Sequence, residues 1–160
     1  MYEAWIAELL FWNITLSKEK ILIVWSNYYK DLAQKQLDSC LSLLEKSNYD
    51  YTLERVEAGT YEIPVVIQYY HRNNPFDGYL PLSLLLKGST DHYEFIWEHV
   101  KDCFIQFALD GLLIGNGIIS APSMDALTAR VENHERVEEA YRALDYLIQF
   151  KDKLNKSRLK

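Results

Sequence analysis

The chain has 160 residues, 49% apolar and 25% charged, with a net charge of −6. That is the size and composition of one soluble domain spanning residues 1–160, burying roughly 70% of its unfolded surface. The negative balance argues against a nucleic-acid footprint. No apolar run approaches the roughly 20 residues of a membrane span, and an N-terminus carrying Glu3 and Glu8 without a basic segment is not a secretory signal. The expected setting is the cytoplasm, with no membrane partner.

Met1 to Trp12 is mostly apolar and reads equally as a short helix or an edge strand. Ile21–Trp25 is a β-branched strand. It is followed by a turn at Ser26-Asn27 and a helix with Leu32, Leu37, Cys40, Leu41 and Leu44 on one face. Tyr51–Val56 reads as a second strand ending at Gly59. Tyr61–His71 is a short helix with Pro64 in its first turn, where proline is tolerated. Asn73-Asn74-Pro75 and Asp77-Gly78 mark a loop that contains His71 at its edge. A strand over Gly78–Leu86 leads into a helix over Asp91–Asp110. Leu112–Ser120 is a further strand interrupted by Gly115 and Gly117. Ser123 caps a short helix ending near Arg130, and Glu135–Leu154 is the final helix. The βαβαβαβα alternation predicts a three-layer α/β/α sandwich around a four-stranded parallel sheet.

Ligands of such folds bind beyond the carboxyl ends of the strands. The most informative turn is Lys87-Gly88-Ser89-Thr90-Asp91-His92-Tyr93, which joins an apolar strand to a helix start. Amide N–H groups and the helix dipole converge there, so it suits an anion, with His92 as a titratable neighbour. Thr90 or Asp91 also serves as a helix cap on spacing alone, and Asp91 with Glu94 resembles a capping box. The turn lacks the Gly-Lys-Ser/Thr of a P-loop. His99 and His134 fall on polar-flanked helical positions. Cys40 and Cys103 lie on helical apolar faces and are read as free thiols. No zinc-ligand spacing and no Ser-His-Asp pattern occurs, so no metal is expected.

Three ordered motifs carry a resemblance: Ala58-Gly59-Thr60-Tyr61-Glu62-Ile63-Pro64, then the Lys87–Tyr93 turn, then Ile114-Gly115-Asn116-Gly117-Ile118-Ile119-Ser120. Together, over about Ile21 to Phe150, the chain resembles the lumazine synthases. That resemblance implies a flavodoxin-like fold and homopentamers or multiples of them. It also implies that the N-terminal segment adds a strand to a neighbouring subunit. The implied reaction joins 5-amino-6-(D-ribitylamino)uracil to 3,4-dihydroxy-2-butanone 4-phosphate, giving 6,7-dimethyl-8-ribityllumazine with no cofactor. It implies stacking on the uracil by Tyr28 and ribityl binding by Thr60, Tyr61 and Glu62. Leu85 and Leu86 would face the pyrimidine through their backbone. Gly88, Ser89 and Thr90 would bind phosphate, and His92 would transfer protons. Arg130, with Arg136 as the other candidate, matches a phosphate arginine given by the adjacent subunit, and Asn116 matches another neighbour's contact. The alternative is a catalytically degenerate relative that carries lumazines or flavins. Its motive is the segment Asn133-His134-Glu135-Arg136-Val137, which stands where the family has a Gly-Asn-Lys-Gly-like run.

Overall fold

The computed structural model describes residues 18–158. The expectations for Met1 to Trp12, including a strand lent to a neighbour, lie outside the described residues. Four parallel strands, β1 (Lys20–Ser26), β2 (Asp50–Val56), β3 (Gly78–Leu86) and β4 (Gly117–Ala121), form one sheet in the order β2-β1-β3-β4. The helices are α1 (Lys30–Leu44), α2 (Ile63–Asn73), α3 (His92–Leu109), α4 (Met124–Glu132) and α5 (Glu135–Arg158), with a 3-10 turn over Thr60–Glu62 before α2. The order is that of a flavodoxin-like sheet, so the chain leaves β1 toward one side for β2 and crosses to the other for β3.

Side-chain alternation along the strands builds the three layers. Ile21, Ile23 and Trp25 of β1 pack with Ala33, Leu37 and Cys40 of α1, Leu127 of α4, and Ala140, Leu144 and Ile148 of α5. The intervening Leu22 and Val24 point the other way, onto Ile63 and Ile67 of α2 and Phe107 of α3. Strands buried on both faces read as continuous apolar runs, which is why β1 and β3 stand out in the sequence. Each fully buried aliphatic side chain in these layers contributes about 1.5–3 kcal/mol. β2 is an edge strand, exposed at most positions.

Three local expectations are corrected. Leu112–Ser120 is not one strand. Only Ile114 bridges to Tyr79, and regular pairing with β3 begins at Gly117. At Gly115 the backbone lies against α5: an added Cβ would sit 2.3 Å from the Ala140 carbonyl oxygen, so the chain detours there before joining the sheet. His71 is in the last turn of α2, not in a loop, and its Nδ1 lies 3.1 Å from the Tyr79 hydroxyl. That hydroxyl also accepts from the Phe76 amide at 3.1 Å. His134 is not helical; it takes φ 61° at the break between α4 and α5. The expected cap of α4 is present, with Ser123 Oγ accepting from the Ala126 amide at 3.2 Å.

Candidate active site

The reversal of strand order at the parallel pair β1 and β3 leaves a crevice at the carboxyl edge of the sheet, the usual ligand position of this architecture. It holds a cavity of about 450 Å³. Tyr28 enters from the segment after β1, and Thr60, Tyr61 and Glu62 from the turn after β2. Leu85 and Leu86 come from the end of β3, and Gly88, Thr90 and His92 from the turn into α3. Residues from three separate sequence segments therefore share one space. Tyr29, Leu84, Tyr93 and Ile96 line it as well.

Each wall has an identifiable local cause. Ser26 Oγ donates to the Ala58 carbonyl at 2.5 Å, tying the end of β1 to the loop after β2. Tyr28 is 67% exposed and meets Tyr29 edge-on, with ring centroids 5.1 Å apart. Burial, and secondarily Tyr28, holds the Tyr29 phenol above its ordinary range. Thr60 is buried against β3, its hydroxyl 2.8 Å from that of buried Ser83. Glu62 reaches back to accept from the Gly59 amide at 3.0 Å, as a capping glutamate does. One carboxylate oxygen is thereby fixed at the mouth of the turn.

At the other end, the turn into α3 is tied to β4 by the Lys87 amide donating to the Ala121 carbonyl at 2.9 Å. The capping box expected from Asp91 and Glu94 is not formed. Asp91 precedes the helix without a side-chain cap bond, and Glu94 instead pairs with Lys87 at 2.6 Å across the turn. That bond is the main reason Lys87 titrates above its ordinary range and Glu94 below its own. Lys87 also stands 5.7 Å over the Tyr93 ring. With no side chain capping α3, the first-turn amides beside Gly88, Thr90 and His92 remain suited to an anionic ligand.

Four of the candidate residues do not line this cavity. Ser89 is exposed in the same turn. Asn116 precedes β4, at the opposite edge of the sheet, where its Oδ1 accepts from the Ile118 amide at 3.1 Å; it borders a separate hollow of about 550 Å³ with Trp97 and Phe104. Arg130, exposed on α4, donates through Nη1 to the Ser120 carbonyl at 3.1 Å. Ser120 is level with Leu85 in the sheet, so Arg130 is at the carboxyl edge, but α4 packs on the face opposite α3. Arg136, in the first turn of α5, pairs with Glu139 at 2.9 Å. Among the described residues no cluster of His, Cys, Asp and Glu is arranged to hold a metal ion, and no helix is long and apolar enough to cross a membrane.

Residues 18–152 match the sequence model of the family described as 6,7-dimethyl-8-ribityllumazine synthase. The chain belongs to the 6,7-dimethyl-8-ribityllumazine synthase family. A lumazine synthase of Jannaschia sp. (strain CCS1) is 31% identical over 114 residues, which cover 71% of this chain and 63% of that protein. One from Sphingopyxis alaskensis is 30% identical over 112 residues, 70% of this chain and 79% of its own length. Another from Agrobacterium fabrum is 27% identical over 147 residues, 87% of this chain and 99% of its own. The lumazine synthase match covers the cavity, all four strands and α1 to α4, together with most of α5.

Proposed function

We propose that the chain condenses 5-amino-6-(D-ribitylamino)uracil with 3,4-dihydroxy-2-butanone 4-phosphate to 6,7-dimethyl-8-ribityllumazine, the penultimate step of riboflavin biosynthesis. The observation that carries this reading is the cavity between β1 and β3. It has an exposed aromatic ring and a fixed carboxylate at one end, and an anion-suited helix start with a histidine at the other. In this reading Tyr28 stacks on the pyrimidine and the Leu85–Leu86 backbone faces its edge. Thr60, Tyr61 and Glu62 bind the ribityl hydroxyls. Gly88, Ser89 and Thr90 hold the phosphate, and His92 carries protons during imine formation and phosphate elimination. The amides at the start of α3 stabilise the departing phosphate, and holding two substrates in one space supplies the remaining acceleration without a cofactor.

In this reading Arg130 completes a neighbour's phosphate site rather than its own, with Arg136 as the alternative cation and Asn116 as a further contribution across the interface. A homopentamer, or a multiple of it, accommodates this. Large apolar side chains stand exposed on α2 and α3, Tyr69 at 68%, Phe95 at 64% and Leu109 at 77%, and a subunit interface would cover them. A monomer in analytical ultracentrifugation would remove the shared site. Cytoplasmic residence goes with this reading. The test of the activity is to supply both substrates and follow the absorbance of the lumazine product. Turnover is expected; tight product binding without turnover would contradict the proposal and favour a carrier.

A further inference from the structure

Four side chains of α3 form one stripe along the helix: His92, Ile96, His99 and Cys103, at spacings that place them on the same face. The first two line the cavity. His99 does not, yet it packs on the turn that does. Its ring stacks on that of Tyr61, with centroids 3.9 Å apart and planes 20° from parallel. Its Nε2 lies 3.1 Å from the Tyr61 carbonyl oxygen. A carbonyl only accepts, so Nε2 carries the hydrogen and donates it. The Cys103 sulfur packs against the same ring, 3.9 Å from Nδ1 and 4.0 Å from Nε2.

The Thr60–Glu62 turn is thus pinned at three points, each to a different partner. Thr60 is held to β3 through Ser83, Glu62 to the Gly59 amide, and Tyr61 to α3 through His99. Only the last of these links the turn to the helix that begins with His92. We propose that His99 is a positioning residue whose Nε2–H holds the ribityl-binding turn at a fixed place relative to His92. The proposal rests on the condensation reading above, in which that turn binds the ribityl chain. His99 contacts neither substrate; it acts through the Tyr61 carbonyl.

Two substitutions separate the hydrogen bond from the ring. His99→Phe keeps a flat ring against Tyr61 and loses the donor, whereas His99→Gln keeps an N–H at similar reach and loses the ring. In steady-state assays with the assembled protein, His99→Phe raises KM for the ribityl-bearing substrate by about three- to ten-fold, the usual effect of one lost hydrogen bond. KM for the phosphate-bearing substrate and kcat stay within about two-fold, and His99→Gln stays within about two-fold of wild type throughout. An unchanged KM in His99→Phe, an equal rise for both substrates, or equal effects of the two variants would overturn the proposal. A second measurement does not depend on activity: histidine-selective 15N NMR of the wild-type protein. It should show the Nε2–H tautomer for His99, and an Nδ1–H tautomer would overturn the proposal by itself. If wild-type protein shows the Nε2–H tautomer but no turnover, the condensation reading fails, and with it the substrate role of the turn, while the bond itself stands.

Discussion

Replacing Thr60 by valine exchanges a hydroxyl for a methyl of the same shape and leaves Ser83 Oγ without its partner. Both residues are buried, Thr60 3% and Ser83 0% exposed, and their hydroxyls are 2.8 Å apart. A stranded buried hydroxyl costs about 1–3 kcal/mol. A value of about 2 kcal/mol in a domain of this size lowers Tm by roughly 4–8 °C. Ser83→Ala alone strands Thr60 and costs a similar amount. The double variant removes both polar groups and returns to within about 1 kcal/mol of wild type, giving a coupling energy of about 3 kcal/mol. Urea denaturation of all four proteins measures this, at one fixed protein concentration because assembly adds stability by mass action. The freed turn should also raise KM for the ribityl-bearing substrate while kcat holds. A Thr60→Val protein as stable as wild type, or no recovery in the double variant, would refute the claim that this pair anchors the turn.

Gly115→Ala must force a Cβ into the Ala140 carbonyl, 2.3 Å away, and the Leu144 Cβ, 2.9 Å away. It should cost about 3 kcal/mol or prevent folding, whereas Gly88→Ala, with nothing within 4 Å, should leave the urea midpoint nearly unchanged and weaken phosphate binding alone. Burial pushes the Cys40 thiol from 9.0 up to about 12. Between those values the unfolded chain has released a proton that the native chain retains, so stability falls as pH rises, by up to about 1.4 kcal/mol per pH unit from this residue; denaturation curves between pH 8 and 11 should lose that component in Cys40→Ala. His92→Ala should lower kcat by about 10²–10⁴ with inorganic phosphate still binding, as isothermal titration can show; loss of phosphate binding with unchanged kcat would reverse the roles assigned to His92 and the Gly88–Thr90 turn.

Much of the architecture was legible because burial leaves plain marks. Residues 21–25 and 78–86 are continuous apolar runs, and the strands found there are the two central ones, covered on both faces. Pro64 marked the start of α2 and Ser123 the start of α4, since both act through local backbone chemistry. What sequence patterns missed depends on distant partners. Leu112–Ile114 looks like the beginning of β4, but whether it pairs is decided by α5 passing close to Gly115. Asp91 and Glu94 have capping-box spacing, yet Glu94 has a stronger partner in Lys87. His99 read as an ordinary helical histidine, although its spacing from His92 by two turns already put it on the cavity side. Its partner, the Tyr61 carbonyl, is 38 residues away. Ser89, Asn116, Arg130 and Arg136 stand outside the cavity, because their positions are set by elements and turns that spacing in the sequence does not locate.

In the proposed reaction both substrates meet in the cavity between β1 and β3. A crystal structure of the assembled protein with 6,7-dimethyl-8-ribityllumazine and inorganic phosphate tests it most directly. The ring should lie on Tyr28, the ribityl chain along Thr60–Glu62, and the phosphate at Gly88–Thr90 beside His92, with an arginine of an adjacent subunit approaching it. Lumazine bound elsewhere, such as the hollow beside Asn116, with this cavity empty, would contradict it.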